Sequence, residues 1–263
     1  MHDHNSLSVS HLGLMSGNHI GPHAPLMTGP ASGTSEVSAF NELLLNPTLD
    51  ARRMNVAAGT VLYDAGTEAR ALYFVHRGQI RTYRNEGESN GKLLDILGPD
   101  DWCGEAAVAR QPHYGERAVV VTTSVVTEVS ADRLLPVLAQ QPRAAVEMIR
   151  QLSAKLTAAR TDAAGLVFDD CNARLIKTLV RFSSSSAATP HPDGVVLRIT
   201  HHQLAQAVGV ARETISLALT QLRQQNLLRT GRNQLTFNPE NLRSFERRRL
   251  SLQRDKVAAE SST

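Results

Sequence analysis

Residues 200–237 have the sequence THHQLAQAVGVARETISLALTQLRQQNLLRTGRNQLTF. Thr200 followed three residues later by Gln203 forms the pattern of a capping box, which begins a helix. Gly209 then stands where a tight turn between two helices needs a residue without a Cβ. A second helix is predicted from Ala211, and its apolar stripe recurs every three or four residues at Ile215, Ala218, Leu219 and Leu222. The segment therefore predicts a helix-turn-helix.

Two short apolar segments, 227–230 and 234–237, follow the second helix and are joined by residues 231–233, which predicts a β-hairpin wing. A helix in the major groove reads bases with its N-terminal residues. There Arg212 can bond to guanine, Glu213 can accept from cytosine, and Thr214 can hold phosphate. The predicted contacts with double-stranded DNA are Thr200, His202, Ala211, Arg212, Glu213, Thr214, Ser216, Leu217 and Arg232. A helical hairpin that binds protein is the alternative.

The charges are distributed unevenly along the 263 residues. The formal net charge is +3, but residues 194–250 contain nine arginines and only three glutamates. The preceding 193 residues are therefore net acidic. A basic C-terminal part indicates a polyanionic partner, and a solvated basic surface is the alternative.

Several classes of protein are excluded by motif and composition. Cys103 and Cys171 lie far apart and form no CxxC pattern, which excludes a disulfide scaffold and a cysteine-rich metal site. We predict no metal, and a reduced cytoplasmic location. No apolar run approaches the roughly 18 residues of a membrane span, so no membrane partner is expected. The common catalytic motifs are missing from the sequence, so we do not expect an enzyme.

The sequence predicts an α+β chain in five parts. Residues 1–34 are rich in His, Ser, Gly and Pro and predict a disordered N-terminal arm. Residues 35–136 predict an antiparallel β-roll, with a helical entry at 37–54 and short strands at 60–63, 72–75, 80–83, 93–97 and 118–121. A dimerisation helix at 137–168, the DNA-binding domain at 169–240 and a basic tail at 241–263 complete the chain.

The predicted dimerisation helix carries small and apolar residues spaced alternately by four and three, which is a heptad seam. It predicts a homodimer whose interface contains Ile149, Leu152, Leu156, Ala159 and Ala163. An ordinary amphipathic core helix is the alternative.

The stretches 197–200 and 208–215 closely resemble the helix-turn-helix of the Crp/Fnr superfamily of bacterial transcription regulators, and the resemblance covers about residues 40–240. It implies a cyclic-nucleotide-binding jelly roll, and a homodimer that binds a palindromic operator and has RNA polymerase as a further partner. In the family, the positions of Arg212 and Glu213 read bases. A third base-reading position, usually Arg, falls on Leu217, so the usual operator is not implied.

The same resemblance implies an effector site between roll and dimerisation helix. Gly104, Glu105 and Ala106, followed by Arg117 and Ala118, resemble the family's phosphate-binding cassette. There the glutamate holds the ribose hydroxyl of a cyclic nucleotide and the arginine meets its phosphate. Ala118 lacks the hydroxyl that assists the arginine in cyclic-AMP binders. A structural ion pair between Glu105 and Arg117 is the alternative.

Two further residues bear on the identity of the effector. The family's adenine-contacting pair falls on Ala159 and Arg160, so cyclic AMP loses hydrogen bonds there. Arg160 and Asp162 could instead address a guanine, which would suit cyclic di-GMP. A salt bridge between helices of the dimer is the alternative for this pair. A regulator with a non-nucleotide effector, or none, also stays open, and haem or redox sensing would involve Cys103 and His113.

Overall fold

The structure, a computed structural model, describes residues 39–84 and 91–260, except for the side chains of 168 and 253–260. The predicted disordered arm lies outside the described residues. No helix in the described ranges is both long and apolar enough to cross a membrane.

The predicted helical entry at 37–54 is wrong in its length. Helix α1, Ala39–Leu43, is followed by a single 3₁₀ turn, Pro47–Leu49, and then by strand β1, Arg52–Val56. Asn46 caps the turn by accepting a hydrogen bond from the Thr48 amide at 3.0 Å. Asp50 ends it with a left-handed φ of 48°. Asn46 and Asp50 therefore end the helical segment before the apolar pattern of the sequence ends.

An antiparallel sheet follows, which confirms the predicted α+β class. Its further strands are β2 (Val61–Tyr63), β3 (Ala71–Arg84), β4 (Lys92–Leu97), β5 (Trp102–Cys103) and β6 (Arg117–Ser130). The order is β1-β6-β3-β4, with β2 also paired to β6 and β5 to β3. A short helix, α2 (Glu105–Val108), lies between β5 and β6. We call residues 52–130 the roll.

Strand β3 joins two segments that the sequence predicted as separate strands. Gly78 lies between them with a φ of +98°, and a Cβ at this position would overlap the Ser124 side chain of β6. The register between β3 and β6 shifts on either side of this glycine. Gly78 therefore lets a bent strand continue where the sequence pattern predicted a turn.

Helices α3 (Ala131–Leu138) and α4 (Pro142–Phe168) connect the roll to the C-terminal domain. The long helix begins five residues after the predicted position, because α3 is a separate helix. Ala144 and Met148 are buried on its inner face, in a core that contains Phe74 and Trp102, and Leu152 packs against that core. Ile149 is 61% exposed.

The C-terminal domain contains α5 (Cys171–Ser183), β7 (Thr189–His191), β8 (Gly194–Leu197), α6 (His201–Val208), α7 (Arg212–Gln224), β9 (Leu228–Gly231) and β10 (Gln234–Phe237). The capping box of Thr200 and Gln203 is present, and Gly209 ends α6 with a φ of 77°. The strands form a sheet in the order β7-β8-β10-β9. The predicted winged helix-turn-helix is confirmed.

The last described helix, α8 (Pro239–Glu260), replaces the predicted tail from residue 241. Leu242 is fully buried and Phe245 packs against the same core, so the domain continues beyond residue 240. Apolar residues three apart place both on one face of the helix. The prediction treated this segment as basic only and missed that face.

The roll and the C-terminal domain share one hydrophobic core. Leu93 and Ile96 of β4 are buried together with Leu204 and Val208 of α6. Apolar burial therefore joins the two domains, in addition to their covalent connection through α4.

Candidate nucleic-acid interface and effector cleft

Helix α7 has one buried face and one exposed face. Its apolar stripe is buried, whereas Arg212, Glu213 and Thr214 in its first turn are exposed. Leu217, one turn later, is 69% exposed. The Ser216 hydroxyl donates to the Arg212 carbonyl at 3.0 Å and lies 3.0 Å from His201 Nδ1. The exposed face therefore presents a cation, an anion, a hydroxyl and an apolar side chain to a partner.

The remaining residues predicted to contact DNA lie around this helix. Ala211 is the exposed N-cap of α7, and His202 is exposed in the first turn of α6. Thr200 Oγ1 accepts from the Gln203 amide at 3.2 Å. Arg232 lies in the turn between β9 and β10 and lines the same cleft as Thr200.

A second region, which we call the effector cleft, lies between the roll, α4 and α5. It has a volume of about 530 Å³. The predicted effector residues Glu105 and Asp162 line it, and so do four residues predicted for the dimer interface, Leu152, Leu156, Ala159 and Ala163.

The other predicted effector residues do not line the cleft. Arg117 Nε lies 3.7 Å from Asp64 Oδ2, and Arg160 is exposed on α4. Gly104 caps α2 with a φ of +95°, Ala106 is partly buried and Ala118 is fully buried. The alternative ion pair of Glu105 with Arg117 is not formed, because Glu105 pairs with Lys155 and Arg117 lies beside Asp64. The alternative for Arg160 and Asp162, a salt bridge between the helices of a dimer, stays a prediction.

Lys155 of α4 is a cation of the cleft that was not predicted from the sequence. It forms an ion pair with Glu105, and its Nζ donates to the Trp102 carbonyl at 2.9 Å. The ammonium also lies 5.0 Å from the centroid of the Trp102 ring, at cation–π distance. Burial disfavours the charged ammonium, but the carboxylates of Glu105 and Asp95 outweigh it and raise the pKa of Lys155.

Arg181 of α5 is a second cation of the cleft that was not predicted from the sequence. Its Nη1 donates to the Leu94 carbonyl at 2.7 Å and to Asp95 Oδ1 at 3.0 Å, both on β4. Its Nη2 lies 3.2 Å from Asp162 Oδ2 on α4. One guanidinium therefore joins the roll, the long helix and the first helix of the DNA-binding domain. The only sequence signal was an arginine beside the apolar positions of α5, which is too common to be informative.

Glu116 brings a carboxyl group into the cleft that was also missed. The Tyr63 hydroxyl donates to its Oε1 at 2.9 Å. Burial, reinforced by the nearby charge of Glu105, raises the pKa of Glu116 to about 7. The cleft thus contains an acid that is half-protonated near neutral pH.

The residues considered for haem or redox sensing are not brought together. Cys103 is fully buried, and burial raises the pKa of its thiol. His113 is exposed in a loop that bridges to Glu68. Within residues 39–84 and 91–260 no group of three or more His, Cys, Asp or Glu residues is placed to hold a metal ion.

Two protein families match the chain. The cyclic nucleotide-binding domain family matches residues 53–141, and the Crp-like helix-turn-helix domain family matches residues 173–245. The chain belongs to the Crp/Fnr family. It is a Crp-like, cyclic-nucleotide-binding transcription regulator.

Individual relatives agree with this assignment. The cAMP-activated global transcriptional regulator CRP of Haemophilus influenzae is 28% identical over 172 residues, which cover 65% of this chain and 77% of that protein. The CRP-like cAMP-activated global transcriptional regulator of Mycobacterium tuberculosis is 26% identical over 189 residues, covering 70% of this chain and 83% of that protein.

Solved structures of Crp/Fnr proteins share the fold. A CRP/FNR family regulator from Thermus thermophilus superposes with a TM-score of 0.58 at 26% identity, covering 73% of this chain and 97% of that chain. The c-di-GMP responsive global regulator CLP of Xanthomonas campestris superposes with a TM-score of 0.61 at 24% identity, covering 73% and 95%.

Proposed function

We propose that this Crp/Fnr regulator is a homodimer that binds a palindromic operator and whose affinity is set by a cyclic nucleotide or cyclic dinucleotide in the effector cleft. One observation carries the proposal: Arg181 of the DNA-binding domain lines the cleft and bonds to both Asp95 and Asp162. A ligand in the cleft meets a guanidinium that joins the two domains in addition to their shared apolar core.

This geometry gives a physical route from ligand to DNA. A ligand shifts a conformational equilibrium only by as much as its affinity differs between the two states. A ligand that takes the hydrogen bonds of Arg181 replaces its contacts with the roll. The attachment of α5 to the roll then rests on their shared apolar core alone, which lets the DNA-binding domain shift relative to α4.

The charges of the cleft favour a guanine-bearing ligand. Asp162 and Glu116 can accept from the N1 and N2 donors of guanine, and Arg181 can donate to O6 and N7. We therefore propose cyclic di-GMP as the first candidate. Cyclic AMP is the second, because the curated relatives named above are cAMP-activated.

Calorimetric titration with cyclic AMP, cyclic GMP and cyclic di-GMP tests this proposal. Asp162→Ala should weaken the binding of guanine-bearing ligands about tenfold or more, because a bond to a charged group is lost. Binding of cyclic AMP should change less. Asp132→Ala, at an exposed carboxylate of α3 outside the cleft, is the matched control and should bind as the wild type does.

The predicted cassette residue Arg117 provides a second arm of the same experiment. If Arg117→Ala abolishes binding and Asp162→Ala does not, the phosphate site lies where the family resemblance implies and the effector cleft is not the ligand site. If none of the three nucleotides binds, the proposed effector class is wrong.

A non-nucleotide effector is the second candidate, and one observation favours it. Four carboxyl groups line the cleft, Asp95, Glu105, Glu116 and Asp162. A phosphodiester that enters must overcome their repulsion, or one of these carboxyl groups must take up a proton. This candidate would be favoured if none of the three nucleotides binds and none changes the affinity of the protein for operator DNA.

The proposed reading of bases by Arg212 has a separate test. Arg212→Ala should cost about 1–3 kcal/mol of operator affinity and relax the preference at one base position. Equal losses on operator and random duplexes would contradict base reading by Arg212.

We further propose RNA polymerase as a partner of the DNA-bound dimer, which abortive-transcription assays on an operator-bearing promoter would test.

A further inference from the structure

We infer that a second cleft, separate from the effector cleft, binds a small molecule that carries a phosphate group. We call it the arginine cleft. It has a volume of about 380 Å³ and lies between β3 and β6 of the roll, the start of α6 and the wing. Three arginines line it, Arg81, Arg198 and Arg232.

Arg81 is the decisive residue. Its side chain is on β3 of the roll and the residue is only 4% exposed. Its Nη2 donates to the Arg198 carbonyl at 2.7 Å and to Gln79 Oε1 at 3.3 Å, and both acceptors are neutral. Its Nε has no hydrogen-bond acceptor within the described part of the chain. A buried guanidinium with neutral acceptors and an unused donor is costly unless an anion joins it.

The surroundings add positive charge and no compensating acid. Arg198 and Arg232 are exposed, and neither forms an ion pair with any residue in the described ranges. No carboxylate is present among the described residues that line the cleft. The effector cleft differs in this respect, because Glu105 pairs with Lys155 there and Asp95 with Arg181. Of the two, the arginine cleft has the electrostatics of an oxyanion site.

The neutral lining indicates what the rest of the ligand offers. The cleft is completed by hydroxyl and amide side chains from Thr122, Thr200, Gln79, Gln203, Asn233 and Gln234. These groups can both donate and accept, so they suit a polar, uncharged body such as a polyol or sugar. The volume leaves room for such a body beside a phosphate. The chemical class is therefore a phosphate monoester of a small polar molecule.

The position of the cleft gives the ligand a mechanical consequence. Arg81 belongs to the roll, whereas Arg198 precedes α6 and Arg232 belongs to the wing. An anion that bonds to all three fixes the wing against the roll. Because Thr200 and Arg232 are also predicted DNA contacts, occupancy of the cleft should lower the affinity for DNA.

Inorganic phosphate and glycerol phosphate are the probes, used with the full chain at constant ionic strength set by chloride. Thermal unfolding and arginine side-chain NMR report binding. We expect a saturable rise of the unfolding midpoint and a shift of the Arg81 Nε–H resonance. Arg81→Gln should weaken binding about tenfold or more. Arg53→Ala, an exposed arginine on β1 outside the cleft, changes the net charge equally and should bind as the wild type does.

Arg232→Ala keeps the test valid if Arg81→Gln fails to fold, because its exposed side chain is not part of the core. It should weaken phosphate binding at least threefold and leave the binding of cyclic nucleotides in the effector cleft unchanged. Equal phosphate binding by wild type, Arg81→Gln and Arg232→Ala overturns the inference. A shift of the Arg81 resonance that requires duplex DNA and does not occur with phosphate also overturns it, because the cleft would then hold the DNA backbone.

Discussion

Arg181 Nη1 in the first helix of the DNA-binding domain donates to Asp95 Oδ1 on β4 of the roll at 3.0 Å. The same guanidinium lies 3.2 Å from Asp162 on the long helix, so three parts of the molecule meet at one side chain. The side chain of Arg181 is 19% exposed, which limits screening by solvent. This contact links the site proposed for ligand to the helices that bind DNA.

Arg181→Gln should therefore weaken both stability and regulation. Loss of charge-assisted bonds to Asp95 and Asp162 should lower the free energy of unfolding by about 2 kcal/mol. The ratio of DNA affinities with and without effector should approach one, because the ligand loses the group through which it acts. Urea unfolding and fluorescence anisotropy with operator DNA measure the two effects.

Arg52→Gln is the matched control for this prediction. Arg52 pairs with Glu128 on the roll, but its side chain is 69% exposed. Exposed ion pairs add little to the free energy of unfolding. The stability and the effector response of Arg52→Gln should therefore stay close to those of the wild type. If Arg181→Gln also leaves the effector response intact, the contact with Asp95 is structural only.

Glu116 should make stability depend on pH. In the unfolded chain its carboxyl ionises near its ordinary pKa of about 4.3, whereas burial raises the folded pKa to about 7. Between these values the folded state holds a proton that the unfolded state has released. The free energy of unfolding therefore falls as pH rises through this window, and the loss is complete above about pH 7.

Glu116→Gln removes this titration and keeps an acceptor for the Tyr63 hydroxyl. The free energy of unfolding of Glu116→Gln, minus that of the wild type, should rise from pH 5 to pH 8 by up to about 3 kcal/mol. Urea unfolding at the two pH values measures the difference. Glu42→Gln, at an exposed carboxylate of α1, is the control. A constant difference between Glu116→Gln and wild type across pH would contradict the role of burial.

The helix-turn-helix could be predicted from sequence because its signals are local. Thr200 and Gln203 cap a helix three residues apart, and Gly209 marks the turn within the same short segment. The apolar stripe of α7 repeats within 13 residues. Each signal depends on neighbours in sequence, so no knowledge of distant contacts was required.

The effector cleft could not be predicted in the same way. Lys155 meets Glu105 and Arg181 meets Asp95 across 50 and 86 residues of sequence. Glu116 lies in the bend before β6, whereas Arg117 is the first residue of that strand. Sequence resemblance placed Arg117 in the pocket, whereas the structure places Glu116 there. Which neighbour lines the cleft is decided by the loop before β6, and spacing alone does not reveal it.

The exposed apolar residues of α4 lead to a prediction about assembly. Ile149 is 61% exposed and Leu156 is 53% exposed, seven residues apart on one face. If they form the dimer seam, Ile149→Asp and Leu156→Asp should convert a dimer to a monomer, because each buries a charge in an apolar interface. Sedimentation velocity measures the change. Arg150→Asp, beside the seam on the same helix, should stay dimeric. A monomeric wild type would refute the homodimer outright.

Leu217 should determine base preference through an apolar contact. It follows Glu213 by four residues, so both lie on the exposed face of α7. The thymine methyl is the apolar group that the major groove offers. We expect selected operators to contain thymine opposite Leu217.

Replacing that dT by dU removes only the methyl group. It should weaken wild-type binding about fourfold, which corresponds to the free energy of burying one methyl-sized group. Leu217→Ala should bind both duplexes equally in anisotropy titrations, whereas Thr220→Ala should retain the preference for dT. Equal binding of the dT and dU duplexes by the wild type would show that Leu217 does not read this base.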